Sequence, residues 1–320
     1  MNTIPLTLDD RKPTYTVLGG GRAKPAGDAF PVSVLLLNRG PRLYRIKLLE
    51  ELADIGFDSI ISLETQSASP ELEGLSARFP QLRFIVFQEE LNVGEQLNVG
   101  MRESSAPYVF VLWNDMRLAT SALSSRFFDR VLELDVACLV PTLSSADGGL
   151  VPSIMNPAAA GQNLKIVPLQ PAQDGEKSLF PFDLAGIYSK ERFIMSGGFD
   201  WTIANPYWQR MDFGMRMWLW GEELLYAQAL RLNYQAELPS FDSTPDEYYG
   251  RFWLKNLAPK HKGDCAELPA KRIASFVLKS SYGPFRAYAE FQAARNWVRI
   301  NAYRFKQDAR RLIELWDPLA

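Results

Sequence analysis

The sequence contains very few of the residues that form disulfides or bind transition metals. Its 320 residues include two cysteines, Cys138 and Cys265, and one histidine, His261. Two thiols exclude a disulfide framework and a four-thiolate zinc site, and they are typical of a protein from a reducing compartment. A Ser-His-Asp triad or a histidine-based metal centre would have to be built around His261.

Long apolar runs and an excess of one charge are also lacking. No stretch reaches the roughly 20 apolar residues of a membrane span, and the polar start has no apolar signal core. The 35 Lys and Arg nearly balance the 37 Asp and Glu, and the net charge of −2 excludes a globally basic nucleic-acid-binding protein. With 47% hydrophobic residues a buried core is expected, so the sequence predicts a soluble, cytoplasmic protein.

Strand and helix patterns alternate between residues 31 and 140. Short apolar runs predict strands, and apolar residues at helical spacing predict helices between them. The predicted strands are 32–37, 58–64, 82–87, 108–113 and 136–140, and the predicted helices are 41–55, 70–78, 93–104 and 121–134. This alternation is typical of an α/β fold with a mostly parallel sheet flanked by helices.

After residue 140 the alternation of strand and helix patterns ends. Residues 141–180 are rich in Ser, Gly, Pro and Ala, and they predict a long excursion carrying a hairpin at 149–154 and 164–169. Regular patterns return farther along, and they predict an extended segment at 183–189 and an aromatic helix near 210–220. The rest of the chain is mostly helical in pattern.

Polar side chains follow four of the predicted strands. They are Asn38 and Arg39 after the first, Glu64 after the second, Asn92 after the third, and Asn114 and Asp115 after the fourth. In an open α/β sheet, ligands bind beyond the carboxyl ends of the strands. These side chains could therefore bond a base, a ribose or a phosphate, although turns after strands are polar in any protein.

Four short motifs follow one another between residues 92 and 221. They are Asn92-Val93-Gly94 with Asn98-Val99-Gly100 and the run 104–112, then Trp113-Asn114-Asp115, then Gly197-Gly198-Phe199-Asp200, and finally Asp212 to Arg216 with Gly221. In order and spacing this series resembles the family 2 glycosyltransferases with the GT-A fold. The resemblance covers about residues 31–240. It implies a Rossmann-like sheet that binds a nucleotide-sugar, with a helical C-terminal extension.

The sequence patterns and the resemblance together predict a division of the chain and a set of donor-binding and acceptor-binding residues. The parts are a leader or peripheral flap (1–30), a GT-A domain (31–265, with a nucleotide half at about 31–140 and an acceptor half at about 141–265) and a basic, aromatic, helical region (266–320). The implied donor-binding residues are Asn38, Arg39, Glu64, Asn92, Asn98, Asn114 and Asp115, and the acceptor would lie near Trp201 and Trp208. Glu64 stands where the family reads the base, but an exposed strand-end acid is also compatible with the sequence.

In the family, an Asp-x-Asp motif holds Mg²⁺ or Mn²⁺ on the donor diphosphate, where the metal neutralises the departing charge. Here the first acidic position is Trp113, so Asp115 is the motif's only carboxylate and Asn114 offers a carbonyl oxygen. His261 is the implied third ligand from the C-terminal part. A lone histidine between two lysines is more often part of the solvated surface.

A second departure concerns the catalytic base. The family's Glu-Asp pair before the acceptor helix reads Gln209 and Arg210 in this sequence. Asp212 is the nearest carboxylate that could take the proton of an acceptor hydroxyl. The alternative is that Asp212 caps the helix or pairs with Arg216 at the i+4 position.

Two classes of function therefore remain open. The first is an inverting transferase that moves a sugar to a hydroxyl of a bacterial-type surface or envelope glycan, including a lipid-linked one. The second is a GT-A domain without catalysis that binds a glycan or a partner protein. A nucleotidyltransferase is disfavoured because the glycines 19–21 precede the first strand of the alternating pattern instead of following it.

The C-terminal region raises a separate question of partners. From Ala270 onward, ten Lys and Arg stand against four Asp and Glu, a local charge of +6 that leaves −8 for the rest of the chain. Basic helices with aromatic faces can lie on anionic membrane surfaces. The same face can instead pack on the main domain or on a second copy in a homodimer, and packing is the preferred interpretation.

Overall fold

The computed structural model describes residues 11–21, 29–40, 45–65, 69–119, 124–160, 163–280 and 282–316. The strands are β1 (Tyr15–Gly19), β2 (Phe30–Leu37), β3 (Phe57–Glu64), β4 (Arg83–Phe87), β5 (Tyr108–Trp113), β6 (Met116–Leu118), β7 (Cys138–Ser144), β8 (Ile154–Ala160), β9 (Asn163–Leu169), β10 (Gly186–Ser189), β11 (Leu224–Tyr234), β12 (Lys260–Lys262) and β13 (Cys265–Glu267). The helices are α1 (Arg45–Asp54), α2 (Ser69–Arg78), α3 (Val93–Glu103), α4 (Ser125–Leu134), α5 (Lys190–Ser196), α6 (Pro206–Leu219), α7 (Glu247–Phe252), α8 (Arg272–Lys279), α9 (Pro284–Ile300) and α10 (Ala309–Glu314).

A nine-stranded mixed sheet forms the centre of the protein, in the order β1-β4-β3-β2-β5-β10-β7-β11-β6. Strands β4, β3, β2 and β5 run parallel to one another, and β7 runs parallel to β11. β1, β10 and β6 are antiparallel to their neighbours. Because β10 runs antiparallel to β5, it begins near the carboxyl end of that strand, with Gly186 opposite Val111.

β5 is apolar along its whole length, and β2 is apolar except for Ser33, because both faces of the sheet are covered. Every residue of β5 is buried, as are residues 32–37 of β2. Polar side chains are therefore concentrated where these strands end. The predicted α/β fold, with a mostly parallel sheet flanked by helices, is confirmed.

The five predicted strands of the alternating pattern correspond to β2, β3, β4, β5 and β7, and the four predicted helices correspond to α1–α4. Two of the predicted helices include residues 41–44 and 121–123, which lie outside the described ranges. The hairpin of the long excursion is present, but its first strand is Ile154–Ala160, later than the predicted 149–154.

Five of the described strands were not predicted: β1, β6, β11, β12 and β13. Tyr15–Gly19 pairs antiparallel with β4 at the edge of the sheet, so this part of the proposed leader belongs to the sheet. It is a short, partly exposed edge strand, and such strands lack the apolar run by which a buried strand is recognised. Residues 1–10 and 22–28 of the same segment lie outside the described ranges.

The C-terminal helices pack on the main domain through their aromatic side chains. Phe276 of α8 and Phe291 of α9 are buried. The Trp297 ring of α9 stacks on Trp220 with the ring centroids 5.9 Å apart, and Trp316 meets Trp218 at 4.6 Å. Packing, the preferred interpretation of the aromatic face, is thus what these side chains show. Among the described helices, none combines the length and apolar character needed to cross a bilayer.

Candidate functional site

Two polar side chains lie at the carboxyl ends of β2 and β3. Glu64 is 1% exposed, and its carboxylate accepts hydrogen bonds from Arg45 of α1 and from Ser62 Oγ, the latter at 2.6 Å. The Asn38 amide nitrogen donates to Glu64 at 3.2 Å and to the Leu63 carbonyl at 2.9 Å. The burial of Glu64 corrects the alternative of an exposed strand-end acid.

The oxygen of the Asn38 amide differs from the nitrogen in its contacts. Asn38 Oδ1 is buried and has no hydrogen-bond partner among the described residues. A buried acceptor without a partner is costly, so such an atom in a native structure needs an explanation.

Arg39 joins the turns at the centre of the carboxyl edge. Its backbone N–H donates to Asn114 Oδ1 at 3.0 Å, which ties the turn after β2 to the turn after β5. Its Nε and Nη2 atoms donate to the two oxygens of Asp115 at 2.8 and 3.1 Å, the bidentate geometry that suits guanidinium and carboxylate. Its Nη1 lies 2.7 Å from Asp183 Oδ2. One guanidinium therefore binds two carboxylates.

Aromatic side chains complete the surroundings of Arg39. Its guanidinium lies 4.3 Å from the centroid of the Trp113 ring and 5.8 Å from that of Tyr234. The Trp113 indole donates to the Asp183 carbonyl at 2.8 Å, and the Tyr234 hydroxyl donates to the Asp183 carboxylate at 3.0 Å. Burial opposes the charge of Arg39, but the bonds to Asp115 and the charge of Asp183 raise its pKa overall.

Asp183 is a site residue that no sequence motif indicates. It lies just before β10 in a left-handed conformation with a φ of 54°, and it is 2% exposed. Burial raises its pKa, against the opposing charges of Arg39 and Arg210. The extended pattern at 183–189 is visible in the sequence, but its antiparallel insertion is not. Only that insertion brings Asp183 to the edge where the parallel strands end.

Arg210 of α6 lies near the same carboxylate. It is 2% exposed, its guanidinium carbon is 3.6 Å from the centroid of the Phe241 ring, and its Nη2 has no partner among the described residues. Burial lowers its pKa to about 10, and the charge of Asp183 raises it. The side chain therefore stays cationic at neutral pH. Neither Arg210 nor its neighbour Gln209 can accept a proton as the family's acidic pair does.

The residues at the Asp-x-Asp position do not fit a divalent metal ion. Trp113 has no ligand atom, both Asp115 oxygens accept from the Arg39 side chain, and Asn114 Oδ1 accepts from the Arg39 backbone. Hard cations such as Mg²⁺ and Mn²⁺ require several oxygen ligands. In the described ranges, no group of three or more His, Cys, Asp or Glu side chains could hold a metal.

The structure places His261 in a different neighbourhood. It lies on β12, pairs with Ala266 of β13, and its backbone N–H donates to Asp308 before α10. The adjacent Lys260 ammonium is 3.4 Å from the same carboxylate. No contact among the described residues joins His261 to Asp115, so the predicted pair of metal ligands is not brought together.

The two Asn-x-Gly motifs join α3 to the Gly-Gly-Phe-Asp turn. Asn92 caps α3, donates to the Trp201 carbonyl at 3.1 Å and accepts from Gln209 at 2.8 Å. Both amide atoms of Asn98 bond the backbone of Phe199, at 2.8 and 2.9 Å. These contacts show a structural use of both asparagines, and they leave no free amide atom on Asn98 for a donor.

The two predicted acceptor-binding tryptophans differ in exposure. Trp208 is 5% exposed and packs against Tyr249 and Phe252, with ring centroids 4.8 and 5.4 Å away. It is a core side chain, and its predicted role as a sugar platform does not fit this packing. Trp201 is partly exposed beside the beginning of α3, with the Arg11 guanidinium 6.0 Å from its ring. It remains the acceptor-binding candidate.

Asp212 lies in a buried ionic network, which argues against the predicted role as catalytic base. It is 0% exposed. Lys255 lies 2.9 Å from its Oδ1 and 3.1 Å from its Oδ2, Arg216 donates to Oδ2 at 3.1 Å, and Asn256 donates to Oδ1 at 2.8 Å. An acceptor hydroxyl has no free lone pair to reach in this arrangement. The pairing with Arg216, given above as the alternative, is observed.

Lys255 connects this network to the Gly-Gly-Phe-Asp motif. Its ammonium lies 2.8 Å from Asp200 Oδ2, and Arg251 lies 3.5 Å from the same oxygen. Burial works against ionisation of Asp200, but the charges of Lys255 and Arg251 hold its pKa well below the usual range. The Asp residues of two motifs therefore share one buried lysine, which fixes α6 against the turn at 197–200.

Solved structures with the same architecture identify the fold. No protein-family model and no curated protein matches the sequence. A crystal structure of GalNAc-T7 with UDP, GalNAc and Mn²⁺ matches with a TM-score of 0.60 and 12% identity, over 90% of this chain and 56% of that one. A crystal structure of S. aureus TarS 1–349 matches with a TM-score of 0.51 and 13% identity, over 82% of this chain and 71% of that one. This chain thus spans little more than half the length of the first of these proteins. Both are GT-A glycosyltransferases, and the chain has the GT-A fold.

Proposed function

We propose that the protein is a nucleotide-sugar-dependent glycosyltransferase that binds its donor at the carboxyl edge of the sheet. The observation that carries this proposal is the convergence of Asn38, Arg39 and Asn114 at the edge where α/β sheets bind ligands. Asn38 Oδ1 supplies an unused acceptor for the base, and Arg39 supplies cationic donors for the diphosphate. The fold supports the same assignment, since the GalNAc-T7 structure contains UDP.

The finer parts of the proposal concern the acceptor and the stereochemistry. We infer that the acceptor binds near Trp201, beyond the beginning of α3, because sugars pack their apolar faces on partly exposed aromatic rings. A surface or envelope glycan, free or lipid-linked, is the acceptor class that the family resemblance suggests. Inversion at the anomeric carbon rests on the same resemblance.

Glycosyl transfer requires a base in the site. The acceptor oxygen bonds to the anomeric carbon while the bond from that carbon to the diphosphate oxygen breaks, and the nucleoside diphosphate leaves with the electron pair. The hydroxyl proton must pass to a base. Gln209 and Arg210 occupy the family's acidic positions, and Asp212 is enclosed. These three observations favour the second candidate, a GT-A domain that binds the donor or a glycan without transfer.

A ligand panel tests donor binding. ADP, CDP, GDP and UDP, with adenosine and uridine as phosphate-free controls, are added at increasing concentration while thermal unfolding is followed. A ligand present at 100 times its dissociation constant stabilises the native state by about 2.7 kcal/mol. We expect one nucleoside diphosphate to raise the midpoint well above its nucleoside. The absence of a shift with all four diphosphates would contradict the donor site.

A second measurement separates the two candidates. The panel is extended to UDP-, GDP- and ADP-sugars, and release of the nucleoside diphosphate is followed by chromatography with candidate glycan acceptors present. Release above the rate without protein supports the transferase. Binding of a nucleotide-sugar with no release under any acceptor supports the binding domain.

We also propose a peripheral membrane contact through the C-terminal region. Two large apolar side chains there are almost fully exposed, Leu278 of α8 at 85% and Phe285 of α9 at 91%. They belong to the segment that carries a charge of +6. Apolar anchors beside basic residues are typical of binding to anionic lipid surfaces.

Vesicle flotation tests this contact. We expect the full chain to float with vesicles that contain anionic phospholipid and to float several-fold less with neutral ones. The double variant Leu278→Ser/Phe285→Ser is expected to stay at the bottom. Leu238→Ser, which removes a half-exposed leucine from the main domain, is the control and should float like the wild type. Equal flotation of the double variant, or none of the wild type, would refute the contact.

A further inference from the structure

We propose that Arg39 is the resident cation of the donor site, so that the site binds a nucleoside diphosphate without a divalent metal. This inference rests on the proposed donor-binding function and goes beyond it. It names the group that neutralises the diphosphate, and it contradicts the metal requirement that the family resemblance implies.

The first support is the place that Arg39 occupies. Its guanidinium binds both oxygens of Asp115, the surviving carboxylate of the Asp-x-Asp motif, and one oxygen of Asp183. The motif's other acidic position is Trp113, whose ring lies 4.3 Å from the guanidinium. A carboxylate at that position could bind a metal, whereas an indole offers a cation a flat π face. A tryptophan at this position can therefore stack on an arginine, but it cannot coordinate Mg²⁺ or Mn²⁺.

The second support is that Arg39 retains donors for a ligand. A guanidinium has five N–H groups in a planar fork. The contacts with Asp115 and Asp183 use Nε–H and one N–H of each terminal nitrogen, and the described residues take no other. One N–H on Nη1 and one on Nη2 remain. The side chain is 24% exposed, so it is open on one side. Guanidinium N–H donors match the oxygens of a phosphate.

The third support is the local charge. Arg39 and Arg210 contribute two positive charges, and Asp115 and Asp183 contribute two negative ones. One divalent cation held by the same two carboxylates would give the same total of zero. Arg210 also has a buried Nη2 with no partner among the described residues, and its charge acts on Asp183. The two arginines can therefore supply the positive charge that a divalent metal ion would supply.

The fourth support is that Arg39 is held in place before a ligand arrives. Its backbone N–H is bonded to Asn114 and its side chain to two carboxylates. A long side chain normally loses rotamer entropy when it binds a ligand. The fixed geometry removes much of that cost, as a bound metal would.

Isothermal titration tests the inference with the diphosphate among ADP, CDP, GDP and UDP that stabilises the chain most. For the wild type we expect dissociation constants in 1 mM EDTA and in 1 mM MnCl₂ to agree within about twofold. Arg39→Met should weaken binding in EDTA at least tenfold, about 1.4 kcal/mol. Arg39→Lys, which keeps the charge but loses the fork, should bind with intermediate affinity. In Arg39→Met the released Asp115 and Asp183 can bind Mn²⁺, so added Mn²⁺ should recover part of the lost affinity.

Arg192→Met is the matched control. Arg192 also bridges two carboxylates, Asp135 at 2.7 Å and Glu222, but it belongs to α5 and not to the carboxyl edge. It should bind the diphosphate like the wild type. Binding that requires Mn²⁺ in the wild type, or undiminished binding by Arg39→Met with native circular dichroism, would overturn the inference. Absence of binding by all four diphosphates would instead overturn the donor site itself.

Discussion

Replacement of Lys255 by Met is expected to lower the free energy of unfolding by about 3–5 kcal/mol. Lys255 is 2% exposed, and its ammonium contacts Asp200, Asp212 and the face of Trp297. The substitution keeps the apolar stem but removes the cation, and it leaves two buried carboxylates short of a partner. Loss of one member of a buried ion pair costs this much because the remaining charge is not solvated.

Chemical denaturation at neutral pH measures this effect. Lys260→Met is the matched control, since Lys260 also pairs with an aspartate, Asp308 at 3.4 Å, but it is 33% exposed. Exposed pairs contribute about 0–1 kcal/mol. A loss below about 1 kcal/mol in Lys255→Met would show that the network is not the ionic centre that joins α6 to the turn at 197–200.

Gly214→Ala is expected to destabilise the protein by about 1–3 kcal/mol, the usual range for overpacking. Gly214 lies within α6, and a Cβ there would stand 2.2 Å from the Leu179 carbonyl oxygen and 2.9 Å from Phe180 Cβ. Backbone atoms cannot rotate away as a side chain can. The helix would have to move from the segment before β10, and α6 also carries Arg210.

Gly74→Ala provides the comparison for this prediction. Gly74 lies in α2, and a Cβ at this position would meet no atom within 4 Å. Alanine is there expected to stabilise the helix by about 0.5–1 kcal/mol. The two midpoints of urea denaturation should therefore move in opposite directions. A Gly214→Ala variant as stable as the wild type would show that α6 does not lie against the 178–181 segment as described.

Much of the sheet could be predicted from the sequence because buried parallel strands are continuous apolar runs. β2, β4 and β5 are largely apolar runs, β3 contains several polar residues, and the polar residues after these strands mark the ligand edge. The missed strands are β1, β6, β11, β12 and β13, and the first strand of the hairpin lies later than predicted. Their alternating or mixed burial gives a single sequence no comparable signal.

The site was only partly predictable, for a different physical reason. Asn38, Arg39, Asn114 and Asp115 were identified from their place after strands, and the structure brings them together. What each carboxylate binds depends on long-range packing. Arg216 could be named as a partner of Asp212 because it is four residues away, but Lys255 could not. Likewise, Asp183 reaches Arg39 only through the antiparallel insertion of β10.

Three motif positions of this chain hold a residue that differs from the family pattern. Trp113 stacks on Arg39, Gln209 donates to Asn92, and Arg210 acts on the charge of Asp183. Trp113 and Gln209 each contact a partner that suits them, whereas Arg210 keeps a buried Nη2 without a partner among the described residues. Partners of this kind are expected, because a buried charge or amide without a partner would be costly.

The position of a bound diphosphate tests the donor site most directly. A crystal structure of the protein with the best-binding nucleoside diphosphate, grown in the presence of EDTA, would show that position. We predict that the diphosphate oxygens lie within hydrogen-bond distance of the Arg39 guanidinium and that the base lies towards Asn38. A diphosphate bound elsewhere on the protein, with the Arg39, Asp115 and Asp183 contacts unchanged and no ligand beside them, would contradict the donor site proposed at this edge.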